Sequence, residues 1–427
     1  MGYVELHCHS AYSFLDGASH PVELAGAAAE LGYPALALTD HDGLHGAMEL
    51  AQALKPLGIR PITGAEVTLD DGSHLTLLCE SKEGYSNLCR LLTVGHRRTR
   101  AWSRERDPRS GVGGQVRRQD PIDEEPAVSL ADVERHAAGL VCLSGCARDG
   151  AVARRVEAGA YAEAARTAQR LERAFGSERF RIELQRPFWR HDRRRNRLLA
   201  ELGERLGVSC VATGNVHVHH PSRTRLQDAF VAVRQGGTLD ETEPGRRGNA
   251  SHALAAPERM AERFDEHPGA VEESGRLAER LRFDLTEDLG YRYPGSEDTT
   301  ADQRLAELCK ERVAARYRGR ALSKAEARLD EELHVIRHLG LSGFFLLHRD
   351  MLELAREVAA EVRGPDSARS VLPPGRGRGS SVSSIVCYLT GLSHIDPVEN
   401  ELFLGRFLNE ELTALPDIDL DFPRDIR

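Results

Sequence analysis

Residue types that bind metal ions recur between positions 7 and 217 of this chain in a pattern that can do chemistry. His7 and His9 flank Cys8, and the alternation of an extended strand turns both imidazoles to one side and the thiol to the other. Alone, a His-x-His pair is more often two surface histidines than a pair of ligands. Its company here is Asp16 in HSAYSFLDG, His41 in LTDHDG, Glu66 in GAEV, His74 opening HLTLL, Cys146 in SGC, and Asn215 with His217 in GNVH. Each has a bland reading: His74 can start a strand after DDGS, Cys146 can be an inert buried thiol, and Asp16 can turn the chain before Gly17. Taken singly those readings win. Taken together, donors of nitrogen, oxygen and sulfur at the ends of successive apolar runs favour a site for two or three divalent cations. A carboxylate such as Glu66 could bridge ions roughly 3.5 to 4 Å apart, lower the pKa of a bound water to about 7 and aim it at a phosphodiester. The implied reaction is phosphoester hydrolysis.

A second constellation lies toward the other end. PPGRGRGSSVSSIVCYLTGL sets Gly375, Gly377 and Gly379 around Arg376 and Arg378, followed by Ser380, Ser381, Ser383 and Ser384 before an apolar helix. Small residues let backbone N–H groups approach phosphate oxygens, a helix amino end favours negative charge, and arginine pairs with it. Such a stretch without context is more often a flexible loop. The context is LPDIDLDF, where Asp417, Asp419 and Asp421 alternate with Ile418, Leu420 and Phe422. A strand there buries one face and presents three carboxylates on the other. Acids so close resist ionising together unless cations neutralise them. A pair of Mg²⁺ ions would do so, while activating a primer 3′ hydroxyl and stabilising leaving pyrophosphate.

Seven apolar runs must position the first constellation: YVEL near residue 3, ALALT near 35, RPITGAEV near 60, HLTLL near 74, GLVCLSG near 139, RFRIELQ near 180 and VSCVATG near 208. With helical patterns between them they predict a parallel, barrel-like α/β domain, whose chemistry collects where the strand ends converge. Residues 101 to 127 are charged and rich in Gly and Pro, and read as an exposed loop. ALAAPERMAERF and VEESGRLAERLRF read as helical, and residues 289 to 302 as a linker. Ser323 and Glu326 have capping-box spacing ahead of Leu329, Leu333 and Ile336, predicting a helix that ends near Gly340.

The composition sets limits. At 427 residues and 41% hydrophobic the chain can bury sizeable cores. No apolar stretch approaches the roughly 20 residues needed to span a bilayer, so a cytoplasmic protein without membrane contact is expected. Eight scattered cysteines argue against a disulfide framework. The formal charge of -9 does not announce a nucleic-acid partner, although arginine gathers locally at Arg97 to Arg100, Arg190 to Arg197 and around Arg376.

HCHSAYSFLDGA, ALALTDHDGLHGA, ITGAEV, HLTLLCESKEGYSNLCRLLT and CVATGNVH resemble the motifs of PHP domains in bacterial DNA polymerase III alpha subunits. That resemblance implies a seven-stranded distorted (β/α) barrel over residues 1–288 and the metal ligands His7, His9, Asp16, His41, Glu66, His74, Cys146, Asn215 and His217. Zn²⁺, Mn²⁺ or Mg²⁺ would be the ions. The family usually has aspartate where Asn215 stands. An amide oxygen coordinates without negative charge, so one ion should bind more weakly and its water should ionise less readily. Intact sites of this kind imply a 3′ to 5′ exonuclease, and degenerate ones a structural role.

Residues 303–427 resemble the start of the C-family polymerase palm, an α+β nucleotidyltransferase-like unit. The resemblance implies Asp417 and Asp419 as two of three catalytic aspartates with Mg²⁺, and Arg378, Gly379, Ser380 and Ser384 as contacts to nucleotide phosphates. It puts the third aspartate beyond Arg427, so synthesis by this chain alone is not expected. GLSHIDPVENELFLGRFLNEEL and PDIDLDFPRDIR are most similar to the damage-inducible, error-prone branch, which acts in DNA repair and lesion bypass. Implied partners are DNA primer-template, deoxynucleoside triphosphates and, through regions outside this chain, a sliding clamp and accessory damage-response proteins. The competing readings are a small-molecule phosphoesterase of the histidinol-phosphate type and a non-catalytic PHP scaffold.

Overall fold

Short, largely buried runs rich in apolar residues form the strands β1 (Ala35–Leu38), β2 (Arg60–Thr68), β3 (His74–Cys79), β4 (Leu140–Leu143), β5 (Phe180–Leu184) and β6 (Cys210–Ala212). The computed structural model describes residues 2–97, 99, 125–290, 293, 295–367, 376–409 and 416–422. Most of the loop expected over residues 101 to 127 therefore lies outside the described residues. Two compact units divide the chain at Gly290.

In the first unit the six strands pair in chain order. The seventh expected strand, around YVEL, makes only isolated parallel bridges, Glu5 to Leu36 on one side and Cys8 to Val216 on the other. The backbone of His9 donates to Val216 O at 2.7 Å and that of Thr39 to Cys8 O at 2.7 Å, so this segment joins the two edges of the curled sheet. The sheet is not all parallel: β3 runs antiparallel to both β2 and β4. The cause is the short turn Asp70–Ser73, with Gly72 at φ +71°, because a connection that brief makes a hairpin and cannot make a crossover.

Strand alternation sorts the side chains. Leu36, Leu38, Ala65, Val67, Leu75, Leu77, Leu140 and Cys142 pack toward the surrounding helices, while Ala35, Ala37, Ile62, Leu78, Val141, Leu143 and Val211 form a separate cluster on the opposite face. Leu277, Ala278 and Leu281, in or just after the helix Pro268–Arg280, join that second cluster. The same face of β2 that carries Ile62 carries Glu66, and the face of β3 that carries Leu78 carries His74. One face thus holds apolar packing at one end and the candidate ligands at the other. The helix Tyr161–Phe175 shows how the outer layer is made, burying Ala164, Ala168, Leu171 and Phe175 along one stripe.

The second unit has a helical core. Ala301, Leu305, Cys309 and Val313 of the helix Ala301–Arg316 pack with Leu329 and Ile336 of Gly319–His338, Phe345 of Ser342–Arg363 and Val386 of Ile385–Thr390. The expected helix ending near Gly340 is present, but it begins at Gly319, so Ser323 sits within it and caps nothing. A two-stranded ribbon, β7 (Arg376–Arg378) with β8 (Asp419–Asp421), completes the unit. All eight cysteines are unpaired. Among the described residues no helix is long and apolar enough to cross a membrane.

Candidate functional site

The nine expected ligands of the first unit gather at one end of the sheet, and the reversed direction of β3 explains why. His41 follows β1 and bridges Glu66, Cys146 follows β4, and Asn215 and His217 follow β6, whereas His74 stands at the start of β3. Because β3 runs backwards, its first residue lies opposite Thr68 near the end of β2. A cleft of about 580 Å³ is lined by His9, Asp16, His41, Glu66, His74, Cys146, Asn215 and His217. His7 lies fully buried behind them.

Glu66 is the centre of the arrangement and is 1% exposed. Its Oε2 lies 2.5 Å from His7 Nε2 and 3.6 Å from His9 Nε2, and its Oε1 lies 3.4 Å from His41 Nδ1 and against His74 Nδ1. Burial alone would raise the Glu66 carboxyl, but the imidazoles of His74, His41 and His7 hold it well below the usual range. The converse pull is seen at His74, where burial is outweighed by Glu66 and the imidazole is raised to about 11. Burial and the adjacent His41 take His9 the other way, to about 3.

The remaining ring nitrogens are committed in the manner that orients metal-binding histidines. His7 Nδ1 donates to Glu183 at 2.7 Å, His9 Nδ1 pairs with Ser13 Oγ at 3.2 Å, and His217 Nδ1 donates to the Asn215 carbonyl at 2.9 Å. Each leaves Nε2 turned toward the other donors, that of His7 and His9 toward Glu66 and that of His217 toward Asp16 and Arg247. Four sets of donor atoms fall within 4.8 Å of one another: His9, His41 and His217; His7, His9 and Glu66; His41, Glu66 and His74; His74, Cys146 and Asp149. Asn215 Oδ1 is buried beside them without a hydrogen-bond partner. Nitrogen, carboxylate and thiol donors around one shared carboxylate fit divalent cations. Sequence reasoning missed Glu183, Asp149 and Arg247, the last of which contacts Asp16 and His217. The signal for Glu183 was available: it is the one acid in the buried run FRIEL.

In the second unit, β7 and β8 pair antiparallel, with Arg378 opposite Asp419 and Arg376 opposite Asp421. Asp417, Asp419 and Asp421 are exposed while Ile418 is buried, the alternation expected of PDIDLDF. The Arg378 Nε donates to Asp421 Oδ2 at 2.6 Å. Gly377 is required for the close approach of its backbone to Leu392, whose carbonyl a β-carbon would meet at 2.5 Å. Gly379 turns the chain at φ +69°, and it and Ser380 are exposed.

Ser384 departs from expectation. It is fully buried, its Oγ accepts from Cys387 N at 2.9 Å as the helix cap, and it donates to Glu332. Glu332 also accepts from Ile385 N at 2.9 Å and Val386 N at 3.2 Å. The acceptor expected at this helix start is thus the protein's own Glu332 carboxyl group, and a phosphate there would have to displace it.

Burial raises the Glu332 carboxyl from 4.5 to about 7 against the opposing pull of those donors. The folded state then holds a proton that the unfolded chain releases between those values. Stability from this group is fully present below about pH 4.5 and lost as pH rises through 7, on the order of 3 kcal/mol in all. Urea unfolding of the chain at both pH values should show this slope, and Glu332→Gln should flatten it; an equally steep slope in the variant would remove Glu332 as its cause.

Comparison with known proteins finds similarity in both units. A domain family described as PHP domain matches residues 5–187, and one described as bacterial DNA polymerase III alpha NTPase domain matches residues 303–427. Two separate stretches of the chain are thus similar to these two families. The stretch similar to PHP domains holds every expected donor of the centre but Asn215 and His217, and the stretch similar to the polymerase III alpha domain holds the Gly-Ser turn and the aspartate strand. Proteins named error-prone DNA polymerase are similar along the whole chain. That of Symbiobacterium thermophilum is 37% identical over 425 residues, covering 99% of this chain and 37% of its own length. That of Mycobacterium tuberculosis H37Rv is 35% identical over 441 residues, covering 100% and 37%. That of Methylococcus capsulatus is 34% identical over 428 residues, covering 100% and 36%. The chain therefore spans little more than a third of the length of these relatives.

Proposed function

We propose that this chain is part of an error-prone, template-directed DNA polymerase that uses primer-template DNA and deoxynucleoside triphosphates with Mg²⁺. The observation that carries the reading is the β7–β8 pairing, which sets the exposed Arg378 opposite Asp419 and the turn at Gly379 next to its carboxylate. In this reading Asp417 and Asp419 hold the ions. Arg378 neutralises charge on the incoming triphosphate, and the turn at Gly379 and Ser380 offers backbone and hydroxyl donors to its oxygens. Ser384 acts one step behind, fixing the helix that follows the turn. A sliding clamp and damage-response proteins would engage regions outside this chain. The test is primer extension, by the chain joined to the rest of its polymerase, on intact templates and on templates carrying an abasic site. Extension past the lesion is expected, and a protein that extends neither template would overturn the proposal.

The PHP centre supports a second, compatible activity, metal-dependent phosphodiester hydrolysis at a DNA 3′ end. Bound ions would supply an ionised water there. The chain's own residues hold the ligands in place: Glu183 and Ser13 orient His7 and His9, and Glu66 draws four imidazoles together. Hydrolysis of small phosphate monoesters in place of a DNA terminus would favour the histidinol-phosphate type, and a metal-loaded protein without hydrolytic activity would favour a scaffold.

A further inference from the structure

Asp16 and His217 are expected metal ligands, yet a side chain of this protein already occupies their donor atoms. Arg247 Nη2 lies 3.1 Å from each carboxylate oxygen of Asp16 and donates to His217 Nε2. With Nδ1 committed to the Asn215 carbonyl, Nε2 is the one ring nitrogen His217 has to offer. Asp16 is further engaged by Gln227 Nε2 at 3.2 Å and by His41 Nε2 at 3.1 Å. The guanidinium is 11% exposed, and its Nε is buried without an acceptor, so its polar contacts in the cleft are those with Asp16 and His217.

The backbone beneath this side chain is pinned. Trp189 Nε1 donates to the Arg247 carbonyl at 3.2 Å, and Arg148 donates to the carbonyls of Gly245 at 2.9 Å and Arg246 at 3.1 Å. A guanidinium stays charged at any pH a folded protein meets, and it cannot coordinate a metal. A divalent ion held by Asp16 and His217 would meet that charge at contact distance and would also need both donors released from it.

We propose that Arg247 is a built-in cation that replaces a metal ion at the Asp16–His217 position, so that the centre holds two divalent ions and not three. One ion is assigned to His7, His9 and Glu66, and the other to His74, which shares one donor set with His41 and Glu66 and a second with Cys146 and Asp149; none of these sets includes His217. The inference rests on the metal-binding reading above. It assigns Arg247 the role of a positioning residue, fixing Asp16 and His217 as part of the wall of the cleft.

The test is metal content of the whole chain, loaded with Zn²⁺ or Mn²⁺, dialysed, and read by elemental analysis and native mass spectrometry. The wild type should hold two equivalents and Arg247→Ala three. Asp16→Asn, made without touching Arg247, should still hold two, which keeps the proposal testable if Arg247→Ala fails to fold. Three equivalents in the wild type, no gain in Arg247→Ala, or loss of an ion in Asp16→Asn would each overturn it. A wild type that holds no ion at all would instead overturn the metal-dependent reading itself.

Discussion

Replacing Glu66 with alanine should strip the PHP domain of divalent metal and lower its melting temperature by on the order of 10 °C. Both effects follow from one position. Glu66 is 1% exposed and touches His7, His9, His41 and His74, so its removal takes away the carboxylate those donor sets share. It also takes from His74 the carboxylate that pairs with it, while His7 keeps Glu183 and His41 keeps Asp16, and breaking a buried pair from one side costs about 3 to 5 kcal/mol. The two contributions separate experimentally. Chelator should lower the melting temperature of the wild type, because an ion that binds only the folded state stabilises it, and should leave the variant unmoved. If the variant kept its full metal content, Glu66 would not be the bridge that its surroundings suggest.

The second large effect is expected at Asp419. In the chain joined to the rest of its polymerase, Asp419→Ala should reduce nucleotide incorporation about a thousandfold, since an ion worth several kcal/mol of transition-state stabilisation loses a ligand. The metal content of the PHP domain should not change, because its donors come from the other unit. Asp421→Ala should be milder, as its carboxylate is paired with Arg378 and acts on that side chain's position. Single-nucleotide incorporation under pre-steady-state conditions measures both, and an Asp419→Ala enzyme within a few-fold of wild type would remove this strand from the catalytic site.

Much of this was legible in the sequence because ligand chemistry and strand periodicity point the same way. The expected PHP ligands come to one end of the sheet, and PDIDLDF does alternate buried and exposed residues. What was not legible depended on direction and partnership. His74 read as the start of a strand, which in an all-parallel barrel would put it at the wrong end; only the hairpin at Asp70–Ser73 brings it to Glu66. Arg247 follows Arg246 in PGRRGN, and nothing local tells that its side chain reaches Asp16. Ser384 looked like its neighbours in the serine run. Its burial is set by Glu332, an acid on a helix distant in sequence, which no local pattern announces.

The bridges that flank the His7–His9 segment carry a further implication for the order of assembly. One side of that segment is held by residues made early, around Leu36, and the other by Val216. A nascent chain can therefore join this segment to Leu36 early, but cannot close its other side until Val216 has been translated. Long-range closure of this kind is slow because the loop entropy is paid before the contacts return it. The donors His7, His9 and Glu66 are all made early, whereas His217 follows that closure, so the full set of ligands is complete only once the last strand is in place.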